Sequence, residues 1–244
     1  MMKNKSYIGI SFIILVFGIY AIPKIIDRVK NHDVTRQERL GVPAKEGKQA
    51  ENLLTIGKAP TFELTNQNGE RISNQNFEGK VYVVEFFFST CPTICPVMNQ
   101  NMMIIEKEFG TNKNFGIASF TINPENDTPQ VLKEHAQQLG VTSPNWHFLT
   151  GDQATIYNIA NKGFNIYAGK SSNPQAGGFE HSGYFALVDK KGNIRSRKDE
   201  NGNPLIFYTG LNYNDKKGFE EDLQGKYKPG IHMIKEDIDL LLQE

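Results

Sequence analysis

Val81-Tyr82-Val83-Val84-Glu85-Phe86-Phe87-Phe88-Ser89-Thr90-Cys91-Pro92-Thr93-Ile94-Cys95-Pro96 decides how the rest of the chain is read. From Val81 to Phe88 every residue but Glu85 is apolar, β-branched or aromatic, the pattern of a strand buried on both faces. Over 97–109 apolar residues recur at helical spacing. The segment therefore reads strand, loop, helix, with Cys91 and Cys95 just beyond the carboxyl end of the strand. Open α/β sheets place their ligand sites there.

Outward from this unit, 61–64 reads as a short strand, 66–69 as a turn, and 115–122 as a second buried strand. Asp127-Thr128-Pro129-Gln130 reads as a helix start, with Asp127 as N-cap, leading through 131–139 to a stop at Gly140. A third strand is expected at 147–149, a helix at 153–162, a fourth strand at 184–188, a hairpin turn at 189–192 and an amphipathic helix at 231–242. Strands alternating with helices imply an α/β fold: a central sheet with parallel pairs, flanked by helices. The sequence contains no internal repeat.

The 244 residues are 39% hydrophobic and 22% charged, which suits one conventional domain once the N-terminus is set aside. Lysine plus arginine equals aspartate plus glutamate, 27 against 27, so no basic field marks a nucleic-acid partner. The only two cysteines are Cys91 and Cys95, which excludes a multi-disulfide scaffold.

Lys3 and Lys5 precede an apolar run over 7–22, broken only by Gly9, Ser11 and Gly18 and closed by Pro23 and Lys24. A spanning helix needs about 17 to 25 residues, and Ile25 and Ile26 extend the run toward that length. The residues before Pro23 give a poor cleavage site, and no cysteine directly follows the run for lipidation, so residues 1–26 are expected to be an uncleaved transmembrane anchor. The leading lysines place the remainder of the chain on the extracytoplasmic (periplasmic) side. Residues 27–56, rich in charge and amide side chains, read as a tether, and 57–244 as the domain.

Four-residue spacing on a helical turn puts two side chains on one face, so Cys91 and Cys95 can converge on one ion or, with a small adjustment, form a disulfide. Two thiolates are soft ligands that select Cu(I) or zinc. A structural zinc site takes four protein donors, and there is no second cysteine pair. The best third donor is His181, in the glycine-flanked loop Gly177-Gly178-Phe179-Glu180-His181-Ser182-Gly183.

FFFSTCPTICPVM, INPENDTP, NWHFLTG and FEHSGYFALVDKKG come one after another in this order, and over roughly 57–196 the chain resembles the Sco/SenC copper chaperones. The resemblance implies a thioredoxin-like fold and copper held as Cu(I), with Cu(II) left open, by Cys91, Cys95 and His181. It implies delivery to the copper-accepting subunit of cytochrome c oxidase, with an upstream copper donor and a thiol reductant as further partners. Where many relatives carry an acidic residue between the cysteines this chain has Thr93, and residues 198–230 exceed the family's usual length and read as a surface insertion.

Other residues carry weaker signals. His32, His135, His147 and His232 lack a motif context, and Met98, Met102 and Met103 read as core filler rather than thioether ligands. Asp127 matches an acidic position in the Sco/SenC family that could assist redox or copper chemistry, but capping is sufficient to account for it. Glu85 interrupts a buried strand six residues before Cys91, where it would serve as proton acceptor for a thiol or pair with a lysine, the latter being the expectation. An enzyme reading stands beside the chaperone: a thiol:disulfide oxidoreductase whose redox-active residues are Cys91 and Cys95, or a peroxide-consuming relative.

Overall fold

The computed structural model describes residues 53–173, 176–198, 202–211 and 230–244, with Leu15, Phe17, Ile19, Ile22 and Pro23. The chain divides into two units, Met1–Gln49 and Ala50–Glu244. In the first, the five described residues are helical and exposed. Among the described residues no helix is long and apolar enough to cross a membrane. Apart from those five residues the expected anchor at 1–26 lies outside the described residues, as does most of the tether at 27–56.

The second unit is a mixed sheet with flanking helices. In chain order its strands are β1 (Leu54–Lys58), β2 (Glu63–Asn66), β3 (Arg71–Ser73), β4 (Val81–Phe87), β5 (Phe115–Thr121), β6 (Trp146–Thr150), β7 (Ala168–Lys170), β8 (Phe179–His181), β9 (Tyr184–Val188), β10 (Asn193–Ser196) and β11 (Tyr208–Thr209). The helices are α1 (Cys95–Phe109), α2 (Pro129–Leu139), α3 (Gln153–Asn158) and α4 (Gly230–Gln243). The main sheet runs β1-β10-β9-β4-β5-β6-β2-β3, with β11 pairing β9 off this path, and β7 and β8 form a separate ribbon.

The parallel pairs expected from the alternation of elements are β4 with β5 and β5 with β6. On its other side β4 is antiparallel to β9, in the register Tyr82↔Val188, Val83↔Leu187, Val84↔Ala186. Every residue of β4 and β5 is buried, as continuous apolar runs require. Adjacent residues of β4 point to opposite faces, so Phe86 stacks on Phe120 at 5.3 Å while Phe87 meets Phe148 edge-on and His135 of α2 face-on. Such pairs add about 0.5–1.5 kcal/mol each beyond the area they bury.

Three expectations shift. The strand expected at 61–64 runs Glu63–Asn66 instead, because Leu64 pairs with Ile72 and the Asn66 side chain accepts the N–H groups of Asn68 and Glu70 to close the turn. The helix expected at 153–162 stops at Asn158 and continues as a π-turn over Ile159–Phe164. Residues 198–230 are not a purely superficial insertion where they are described: Tyr208 is fully buried, β11 pairs with β9, and the Tyr208 hydroxyl donates to Asp237 of α4 at 2.6 Å. Asp237, also buried, takes Arg197 at 2.6 Å, so a cation balances its charge. Tyr208→Phe should therefore cost about 1.5–3 kcal/mol, the range for a hydrogen bond to a charged group. A urea midpoint shift worth less than about 0.5 kcal/mol at unchanged slope would return this segment to the surface.

Candidate metal centre

Beyond Phe87 the chain turns, with the Cys91 N–H donating to Phe88 O at 3.2 Å, and Cys95 is the first residue of α1. Pro96 comes next in the first turn, where a missing N–H leaves no helical bond unmade. His181 ends β8, three residues before β9. Because β9 runs antiparallel beside β4, the start of β9 lies against the end of β4, and the histidine loop meets the cysteine loop. Gly177, at φ +69°, makes the approach possible: a Cβ there would sit 3.1 Å from both the Phe88 ring and Pro92.

The structure brings together the three residues expected from sequence. Cys91 Sγ, Cys95 Sγ and one nitrogen of His181 lie within 4.8 Å of one another. Cys95 Sγ is 3.2 Å from His181 Nε2, and His181 Nδ1 lies 3.3 Å from Ser182 O, so the ring is held at both nitrogens. Phe88 meets the imidazole edge-on at 6.0 Å. Cys91 is the more accessible sulfur, 9% exposed against 2% for Cys95, and Thr93 Oγ1 lies 3.7 Å from it. Both thiols are free.

The two sulfurs titrate as a pair. Hydrogen bonding from Cys95, helped by His181, pulls the Cys91 thiol well below the ordinary range against the opposing effect of burial. Cys95 moves the other way, its proton held by the hydrogen bond to Cys91, by burial, and by the charges of Cys91 and Glu85. The pair thus gives up its first proton from Cys91, and Cys95 holds the second more tightly.

Two residues near the site have roles that differ from expectation. Asp127 is not the N-cap of α2; Thr128 is, its hydroxyl accepting from Val131 N–H. Asp127 is fully buried and accepts from the Ser89 N–H at 3.0 Å, the Ser89 and Thr121 hydroxyls, and Asn126 Nδ2, so it pins the start of the cysteine loop to the end of β5. Its place in the Asn123–Asp127 loop is legible in sequence; its partner Ser89, 38 residues away, is not.

Glu85 takes a serine where a lysine was expected. Ser119 Oγ donates to Oε1 at 2.6 Å, Trp146 Nε1 donates in turn to that hydroxyl, and Oε2 has no hydrogen-bond partner among the described residues. Burial pushes its carboxyl up to about 7. Elsewhere, Met98 and Met102 are fully buried in the core and Met103 is half-buried. His135 packs on Phe87 and His147 against Phe77, burial lowering the pKa of each; His232 lies on α4, and His32 lies outside the described residues. Sequence reading passed over Asn101, a buried polar residue within the apolar stripe of α1, the signal that marks a required hydrogen bond.

A mixed sheet in which a dithiol turn joins a buried strand to a helix, with a histidine loop ahead of the neighbouring antiparallel strand, defines a thioredoxin-like domain carrying two thiols and an imidazole. The SCO1/SenC family model matches residues 52–211, and the chain belongs to that family. It is 34% identical over 158 residues to an SCO1 protein homologue of Bacillus subtilis, covering 64% of this chain and 79% of that protein. An SCO1/SenC family lipoprotein from Bacillus anthracis superposes with a TM-score of 0.61 at 26% identity, over 79% of this chain and 98% of that one. BsSco, described as a cytochrome c oxidase assembly protein with a disulfide switch, gives a TM-score of 0.58 at 26% identity, over 81% and 100%.

Glu85 supplies a pH test. Its folded-state pKa is raised from 4.5 to about 7, so its favourable contribution is complete below about 4.5 and is lost as pH rises through about 7. The loss amounts to about 3 kcal/mol. The stability of wild type minus that of Glu85→Gln, from urea denaturation, should fall by that amount between about pH 4.5 and 7.5. A difference that stays constant with pH would show that the carboxyl titrates normally.

Proposed function

We propose that this chain is a membrane-anchored Cu(I) metallochaperone that carries copper on Cys91, Cys95 and His181 for assembly of the binuclear copper site of cytochrome c oxidase. The observation that carries the reading is the convergence of two thiol sulfurs and one imidazole nitrogen within 4.8 Å at the mouth of a buried loop. Soft sulfur donors favour Cu(I) over harder ions, and three protein donors fall short of the four of a structural zinc site. Copper is cargo here: a three-donor site near the surface holds the ion and leaves an approach for an acceptor's ligands through the more exposed Cys91. Loading a monocation releases the proton that Cys95 retains, since the ion replaces it as counter-charge. Oxidation to a disulfide removes both thiolates and with them the site.

Membership of the Sco family, with BsSco described as an oxidase assembly protein, supports an oxidase subunit as acceptor. The lysine-flanked apolar run at 7–22 supports a membrane anchor with the domain on the extracytoplasmic side. The unequal proton affinities of the two cysteines favour a second reading, thiol:disulfide exchange on a target's cysteines.

His181 separates the two readings. In the reduced protein His181→Ala should weaken Cu(I) binding by more than about 100-fold, beyond the usual effect of an outer-shell change. Competition against a calibrated chelator measures this, while the Cys91–Cys95 disulfide should still form and be reduced. Copper held as tightly as by wild type, with loss of reductase activity, would give the site to thiol exchange. For the anchor, full-length protein should stay in the membrane fraction after an alkaline wash, and recovery of a soluble product starting near Pro23 would sink that part.

A further inference from the structure

Asn101 lies on α1, six residues after Cys95, and is 1% exposed. Its Nδ2 donates to the carbonyl of Gly210 at 2.7 Å. The N–H of Gly210 donates in turn to the carbonyl of Gly183 at 2.8 Å, and Gly183 is two residues after His181. One residue's backbone thus ties the helix that starts with a cysteine to the loop that carries the histidine.

The surroundings of this tie leave little room for another arrangement. A Cβ at Gly183 would lie 2.6 Å from the Leu211 side chain, and one at Gly210 would lie 2.8 Å from the Phe185 ring. Both glycines permit the backbones to approach. The Thr209 hydroxyl accepts from the Leu211 N–H at 3.2 Å, bending the chain at Gly210, and Thr209 pairs with Tyr184 at the first position of β9. On its other side the strand is fixed independently, through Tyr208 to Asp237 of α4.

From this arrangement we propose that Asn101 is a positioning residue for His181: through Gly210 it holds the histidine loop against α1 and so keeps Nε2 beside Cys95. The proposal rests on the copper reading above. Cys91 and Cys95 are set relative to each other by only three intervening residues, whereas the 3.2 Å contact between Cys95 and His181 spans 86 residues of chain and depends on tertiary ties of this kind. A buried amide on the apolar stripe of a helix is costly unless it is bonded, which gives Asn101 a reason to hold Gly210.

A double-mutant cycle tests this on the reduced full-length protein in detergent, with Cu(I) affinity read by chelator competition for wild type, Asn101→Ala, His181→Ala and the pair. Asn101→Ala should weaken binding by about 10 to 100-fold, as outer-shell changes do, and should have no further effect once His181 is absent. Equal losses in both backgrounds, or no loss in either, would remove the positioning role. Unchanged copper binding in His181→Ala alone would remove the copper reading and the positioning role with it. Asn101→Asp, nearly isosteric and unable to donate when ionised, replaces the alanine variant if that one loses cooperative unfolding; loss of cooperativity in both would mark a purely structural residue and overturn the proposal.

Discussion

The antiparallel ladder between β4 and β9 is the constraint on which the site depends. β4 delivers the cysteine loop at its carboxyl end, and β9 begins where β4 stops, so the loop ahead of β9 must lie beside the two sulfurs. Had β9 run parallel to β4, its start would sit at the opposite edge of the sheet, about 20 Å away for a strand of this length. Burial of the central strands on both faces makes this ladder hard to shift, because a slip of one residue would exchange Phe86 and Phe87 between unlike environments.

Electrostatics then shape the site within that frame. The sulfurs are largely removed from water, where two adjacent thiolates repel strongly, so their proton affinities split, Cys91 falling and Cys95 rising. Glu85 lies in the same low-dielectric interior and resists ionisation for the same reason, with one oxygen bonded to Ser119 and the other without a hydrogen-bond partner among the described residues. A soft cation would relieve the repulsion between the sulfurs. Below the loop, Asp127 commits its carboxylate to Ser89, Thr121 and Asn126, fixing the backbone from which Cys91 projects.

The segment after β10 links the two halves of this arrangement. Tyr208 anchors it in the core against Asp237 and Arg197, and Gly210 places it between α1 and the histidine loop. The described residues of this segment are thus joined to the core and to the site rather than lying on the surface.

The residues from Val81 to Pro96 determined much of this by themselves. A run without polar interruption, apart from one carboxylate, must be a strand covered on both sides, and the cysteine spacing matches the pitch of a helix; farther along, a glycine-flanked histidine before an apolar run marks a loop. Local periodicity carries those conclusions. Partnership across the chain lies beyond periodicity, and every misread residue failed on that point. Asp127 looked like a cap because its neighbours make a helix start, yet its partner is Ser89. Glu85 suggested an ion pair, but the strand beside it offered a serine. Tyr208 looked superficial until β11 joined β9. Only the tertiary structure set His181 against Cys95, because which edge of β4 a distant strand takes, and in which direction, is decided by the packing of whole elements and leaves no mark in the local pattern of either one.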